Sequence, residues 1–523
     1  MPAGLRLLAL VLAVLAGLAH AAPAFAHAAL IGSEPADRAT VAEAPAAVTL
    51  TYNEPVTPLV MRLVGSGGHA LELSDVAADG ATLRVGLPGS LPQGTHLLSW
   101  RVVSADGHPI GGALTFSVGQ PSAAQPQDRQ DGGGVLSTAI WLTRFALYIG
   151  LFVGVGGVYY ARRIAAHPLT AEVEKPIAFA LNVGLVAAFV SVGLQGADAL
   201  GLQVTELYRP RIWIEGISTS YGLTAAVAVA AIVSARIALR APQPRWLAAF
   251  ALGGVGAALA ASGHASAAAP QLVTRPMVFV HGVAVAFWIG ALWPLLAALR
   301  AGSTEELARF SRAIPLPLVL LIASGAVLAV IQVQEPGALV GTDYGRVLLA
   351  KLAGVAVLLP LALASRIMTA RAGEGGSKRL ASSVKAELLL ALVILGIVAS
   401  WRFTPPPRSL LVAAAQPVQV HIHTDKAMAD LTIARSEAGA RSISMTLLDG
   451  QFGPLAAKEA TLFLSKPDAG IEPIRLQAKH VDATIWRVDG VHLPMRGRWH
   501  VRIEILVSDF EKVAVEDEID LPR

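Results

Sequence analysis

Residues 274–299 read TRPMVFVHGVAVAFWIGALWPLLAAL, and Arg275 is the single charged side chain among them. About 20 apolar residues in a helix cross the roughly 30 Å hydrocarbon core of a bilayer, so this stretch is long enough to span one. From about 135 to 403 the chain repeats such stretches. Eight spans are predicted, near 136–160, 177–197, 213–235, 246–263, 274–299, 314–333, 347–368 and 384–403. The fourth is short and rich in Ala and Gly. Glu215 near the start of the third argues for a later beginning there. Over 523 residues the chain is 54% hydrophobic and 15% charged, with a mean hydropathy of +0.57, the balance of a membrane protein.

Loop charges give the topology. Arg162 and Arg163 follow the first span, and Arg236, Arg240 and Arg245 the third. Arg300, Arg309 and Arg312 follow the fifth, and Arg371, Lys378, Arg379 and Lys385 the seventh. Even-numbered spans are followed by fewer basic residues, Arg209 and Arg211 excepted. Basic loops stay cytoplasmic, which puts both termini outside the plasma (inner) membrane. The N-terminus agrees. Residues 1–26 read as a secretory signal, with Arg6, an apolar run from Leu7 to Leu18, and Ala24-Phe25-Ala26 as cleavage site. The net charge of +4 gives no nucleic-acid footprint, and the absence of cysteine excludes disulfides and thiolate metal sites within the chain.

The flanks are soluble and β-rich. Residues 27–119 alternate in Val48–Val56, Ala81–Leu87, Thr95–Val103 and Ala113–Val118, with a hairpin in Met61–Leu73 around Gly65–Gly68. This predicts a β-sandwich or Greek-key barrel. Residues 120–134 are a polar linker, 135–405 the membrane domain, and 406–523 a second extracytoplasmic β-sandwich. In the last, Val418–Ile422, Ala429–Ala434, Ser442–Leu447, Ala460–Leu464 and Trp499–Leu506 alternate.

Cleavage after Ala26 makes His27 the new N-terminus. Its α-amine and ring Nδ1 can chelate one metal ion. Asp106 and His108, on either side of Gly107, add a carboxylate and an imidazole. About three nitrogens and one oxygen suit square-planar Cu(II). The α-amine titrates near pH 7.7–8.0, so metal displaces its proton readily. His69 and His96 read as fold residues.

From His27 through Ser33-x-Pro35-Ala36-Asp37 and Asn53-Glu54-Pro55-Val56 to Ser104–Pro109, the segment resembles the CopC family of periplasmic copper-binding proteins. The resemblance implies that His27, Asp106 and His108 bind Cu(II). With Met61 as the segment's one methionine, no Cu(I) site is expected there. The membrane block resembles the CopD family through Ser262–Ala265, His281 with Phe287–Gly290, Tyr344–Lys351, and Lys385-x-Glu387-Leu388 running into Pro405–Pro407. The arrangement looks like a CopC–CopD fusion. Residues 406–523 resemble the small YtkA-like β-sandwich.

Polar groups inside spans are expensive and point to function by default. His281 lies in the fifth span with Met277 one turn before it. That i, i+4 pair shares a helix face and could hold Cu(I), or His281 hydrogen-bonds a neighbouring helix and Met277 packs. His264, at the outer end of the fourth span, would meet an entering ion first. Lys351 and Glu387 are read as an interhelical pair, and Asp198 as a cap. His421 and His423 share one strand face, with Met428 and Met445 as candidate partners; surface strand residues are the alternative.

Three function classes follow. The first is capture of Cu(II) outside and passage of copper through the membrane domain, inward. No Walker A motif for ATP-driven pumping is present. The second is an extracytoplasmic chaperone or sensor that delivers copper to a membrane oxidase without transport. The third is an oxidative copper enzyme, which needs open coordination positions and a flat aromatic face. Asp106 fills one position and the aromatics are few, mainly Tyr52, Trp100 and Phe116, so the chain is read as a non-enzyme. Protein partners and oligomeric state are not legible.

Overall fold

The computed structural model describes residues 28–521, apart from 29, 38, 66–69, 105–108, 120–132, 241–244, 372–376, 409–417, 425, 436–439, 450–453, 483–484, 494 and 496. The signal segment and nearly all of the linker lie outside the described residues. The chain divides into a helical unit that includes residues 130–409 and a β unit that includes residues 28–104, 110–129 and 410–523.

The N-terminal part of the β unit has nine strands: β1 Leu30–Glu34, β2 Ala39–Val41, β3 Ala47–Tyr52, β4 Thr57–Val64, β5 Ala70–Glu72, β6 Val76–Asp79, β7 Thr82–Gly86, β8 Gly94–Val103 and β9 Pro109–Val118. They form two sheets, ordered β1-β3-β7-β6 and β2-β9-β8-β4-β5. Alternation drives this. In β3 Val48, Leu50 and Tyr52 are buried while Ala47, Thr49 and Thr51 are half-buried, and the buried set joins Leu63, Leu83, Leu98 and Phe116 in one core. The β4–β5 hairpin lies in the predicted 61–73 stretch. The predicted strand 48–56 ends at Tyr52, because Asn53–Pro55 turn the chain toward the other sheet and Pro55 has no N–H for a ladder.

The C-terminal part also has nine strands: β10 Val418–His423, β11 Ala427–Arg435, β12 Arg441–Asp449, β13 Glu459–Lys466, β14 Ile471–Gln477, β15 Lys479–Asp482, β16 Ile485–Val491, β17 Gly497–Ser508 and β18 Glu511–Leu521. The sheets run β10-β11-β12-β16-β15 and β14-β13-β17-β18 around a core centred on Trp499.

The helical unit holds α1 Gly134–Arg163, α2 Ala171–Leu200, α3 Pro210–Ser218, α4 Ser220–Arg240, α5 Arg245–Ala261, α6 Gln271–Arg300, α7 Thr304–Val333, α8 Asp343–Arg371 and α9 Ser377–Ala399. Among the described residues seven helices are long and apolar enough to cross a membrane; α5, at 17 residues, is shorter. The predicted third span indeed begins later. Residues around Glu215 form the separate short helix α3, and the long helix starts at Ser220.

Small residues set the packing, since without water between helices close backbone approach does the work. A Cβ on Gly156 of α1 would lie 2.0 Å from the Ala286 carbonyl oxygen of α6, so only glycine fits that crossing. Asp198, read as a cap, lies in the last turn of α2 and forms an ion pair with Arg402 at 2.5 Å. The most enclosed of the long helices is α6.

Candidate functional site

Strand register brings three separate segments of the N-terminal β domain together. Leu30 pairs with Tyr52, so the start of β1 lies beside the end of β3. Residues 53–56 lead to β4, whose Thr57 pairs with Val103 at the end of β8. β8 and β9 are sheet neighbours joined through 104–108. Ala28, Glu54, Ser104 and the first residue of β9 therefore gather at one end of the domain, the first three buried. His27, Asp106 and His108 lie outside the described residues, as does His69. The described neighbours of His69 lie at the far end, where Val64 pairs with Ala70 and Leu97. Those of His27, Asp106 and His108 are at the same end as Ala28, Glu54 and Ser104. Just beneath, the Tyr52 and Trp100 rings meet edge-on at 5.4 Å, and burial raises the Tyr52 phenol far above its ordinary pKa, keeping it neutral. His96 is a fold residue at the other end of β8. It is fully buried, its Nε2 is 2.8 Å from the Pro92 carbonyl, and its ring stacks on Phe116.

In the helical unit His281 projects from α6 toward α7. Its Nδ1 lies 3.1 Å from Ser324 Oγ. Ser324 has one hydroxyl proton, and its oxygen lies 2.6 Å from the Leu320 carbonyl and 3.1 Å from that of Leu321. With that proton given to the backbone, the serine oxygen accepts from His281 Nδ1–H. The Nε2 lone pair is left for another partner. Such second-sphere contacts fix the tautomer of metal-ligating imidazoles. Gly325 permits the approach, since a Cβ there would sit 3.2 Å from His281 Cε1. Met277, half-buried, precedes His281 by one turn.

His264 begins a single helical turn, His264–Ala267, after Gly263 at φ 100°. The turn is tied to α7. Gln332 Nε2 donates to the His264 carbonyl at 3.0 Å, and Arg408 donates to the same oxygen at 3.4 Å and to Gln332 Oε1 at 3.1 Å. Ser324 and Gln332 are eight residues apart on α7, about 12 Å along its axis at 1.5 Å per residue. Through Ser324 and Gln332 the His281 ring and the His264 carbonyl are thus tied to successive levels of one helix. Among the described residues no three His, Asp or Glu side chains converge as a metal cage. Lys351 lies with its Nζ 5.0 Å over the Trp401 ring, and Trp401 stacks on Tyr344. Sequence reasoning missed Ser324, Gln332 and Arg408; the signal was there for the first two, as polar residues inside an apolar stretch.

In the C-terminal domain the register sets His421 opposite Asp430 and His423 opposite Met428. The backbone of His421 and His423 is described, while their side chains lie outside the described set. Met445, a candidate partner on sequence grounds, is fully buried in the core opposite Leu431 and Trp486. That removes it, because residues an odd number apart along β12 face opposite ways.

Comparison with known proteins places these features. Family models described as CopC domain, as Copper resistance protein D-like, N-terminal domain, and as Copper resistance protein D match residues 30–119, 135–272 and 304–401. Copper resistance protein C of Xanthomonas campestris pv. juglandis is 40% identical over 118 residues, which cover 91% of that protein and 21% of this chain. The chain belongs to the CopC–CopD copper resistance family. Copper transport protein CutJ of Bacillus subtilis (strain 168) is 22% identical over 525 residues, covering 94% of this CopC–CopD chain and 95% of CutJ. The crystal structure of CopC from Methylosinus trichosporium OB3b aligns at 26% identity and a TM-score of 0.17, over 98% of that chain and 19% of this one. His281, on α6, falls between the two CopD segments.

Proposed function

We propose that this chain captures Cu(II) outside the plasma membrane and passes copper inward through its helical unit. The His27 amine and ring, Asp106 and His108 form the capture site. His264 receives the ion at the outer level of α7, and His281 Nε2 takes it one step deeper. Met277 adds a soft donor on the same face of α6, which suits Cu(I) once an external one-electron reductant, such as a quinol or a thiol, has reduced the captured Cu(II). The reading rests above all on His281, an imidazole on the most enclosed helix whose Nδ1 is engaged by Ser324.

The topology follows from the loop charges together with α5. Seventeen residues at 1.5 Å each reach about 25 Å, close to the hydrocarbon thickness, and α5 packs beside α4, with Gly254 against Ala231. Counting α5 as the eighth crossing puts both β domains and both termini outside. Those domains are read as β-sandwiches, the first of Greek-key type and the second YtkA-like.

Total cell copper under copper limitation tests the reading, in strains lacking the protein or carrying wild type, His27→Ala or His281→Ala. Lower copper in the deletion and in both variants is expected. Equal copper in all strains would contradict import and favour delivery to an extracytoplasmic oxidase.

A further inference from the structure

The helical unit encloses a polar cavity that the copper route does not use. It lies where α1 begins, α2 ends, α4 begins and α9 gives way to the turn Ser400–Phe403. Arg144 of α1, Ser191 and Gln195 of α2, Tyr221 of α4 and Arg402 of the turn line it. Ser191, Gln195 and Tyr221 are buried, and the Arg402 side chain is 11% exposed. Arg144 is half-buried and lies about 15 Å from the start of α1, at 1.5 Å per residue. Arg402 is paired with Asp198. Arg144 has no hydrogen bond or ion pair among the described residues. Two guanidiniums against one carboxylate leave one positive charge over. Both guanidinium charges act on the Tyr221 phenol, and among the described residues no carboxylate does.

Arginine keeps its charge in proteins, so burial cannot neutralise Arg144 by removing a proton. A charge inside a span is costly unless an opposite charge faces it. The nearby hydroxyl protons are already given away. Tyr221 donates to Ser191 Oγ at 2.9 Å, and Ser191 donates to the Ala188 carbonyl at 2.9 Å. The N–H groups of Arg144 remain as donors, and their charge calls for an anion. The cavity volume is about 10 Å³, room for one guest near the size of a water molecule. A halide is the anion nearest that size.

We propose that this cavity is an anion site, in which Arg144, backed by Arg402, holds one monovalent ion of halide size between α1, α2 and α4. The ion cancels the uncompensated charge and joins three helices at this end of the bundle. A phosphate or a lipid headgroup is too large for the cavity. The proposal does not rest on the copper reading.

The test is the melting temperature of the full-length protein in detergent, as sodium chloride or bromide replaces sodium gluconate at constant ionic strength. The proteins are wild type, Arg144→Gln and, as a control, Arg236→Gln near the opposite end of α4. Halide should raise the wild-type melting temperature saturably, by about 3 °C or more. Arg236→Gln should keep that rise, and Arg144→Gln should melt at one temperature in either salt. Wild-type crystals grown in bromide should show an anomalous peak beside the Arg144 guanidinium, and this result decides if Arg144→Gln does not fold. No halide response in the wild type, or an equal response in Arg144→Gln, would overturn the proposal, as would bromide crystals without that peak. Stabilisation by added anionic phospholipid with no halide response would overturn it in favour of a lipid headgroup.

Discussion

At the scale of single residues, the informative contact is His281 with Ser324. The serine holds one ring nitrogen so that the other keeps a lone pair directed away. Ser324→Ala should leave the fold intact and cut copper transport about 10- to 100-fold, the usual cost of removing a second-sphere partner. Ser324→Thr, which keeps the hydroxyl, should retain most of it. Equal transport by Ser324→Ala and wild type would remove the serine from the mechanism. A second residue-scale effect lies in the C-terminal domain. Glu504 accepts a hydrogen bond from Lys512 and pairs with Arg502 at 2.8 Å, and the Lys512 contact holds its carboxyl below the ordinary glutamate pKa. A depressed folded pKa contributes stability that is present above the unfolded value, about 4.3, and is lost as pH falls through the folded one. Glu504→Gln should therefore melt earlier than wild type at pH 7, with the gap closing below about pH 4; a gap independent of pH would rule out this origin.

At the scale of elements, the helical unit is held by glycine crossings, and α1 meets α6 where Gly156 faces Ala286 and Gly290. Gly156→Val needs space that backbone atoms occupy. It should cost well over 1 kcal/mol, visible as loss of the monodisperse detergent-solubilised protein. A fully folded Gly156→Val protein would mean that this crossing is looser than described. The elements also explain what the sequence made legible. The five alternating segments of the last domain coincide with β10, β11, β12, β13 and β17, because each buries one face. β14 and β15 escaped, since they sit at sheet edges with little buried surface to impose a pattern. β18 buries Val513, Val515 and Ile519, but its acidic residues hid the alternation. The fourth predicted span reads as the weakest, and α5 is indeed shorter than the seven helices long enough to cross a membrane.

At the scale of the whole molecule, topology is the open variable, and the absence of cysteine makes it simple to measure. A single cysteine at Gln243, between α4 and α5, should be shielded from a membrane-impermeant maleimide in intact cells. One at Glu335, after α7, should react. The opposite pattern would invert the chain, and labelling of both would remove α5 as a crossing. The histidines themselves were legible from residue type, because an imidazole inside an apolar helix stands out. Their partners were not. Ser324 is 43 residues from His281, and Gln332 is 68 from His264. Such pairings depend on which helices pack together, which hydropathy along one chain does not encode. The central claim is that copper crosses the bilayer through this chain. The most direct measurement is copper entry into proteoliposomes of the purified protein loaded with a Cu(I)-selective indicator. The account predicts accumulation above protein-free vesicles that His281→Ala abolishes. Accumulation no greater than in protein-free vesicles, or unaffected by His281→Ala, would contradict it.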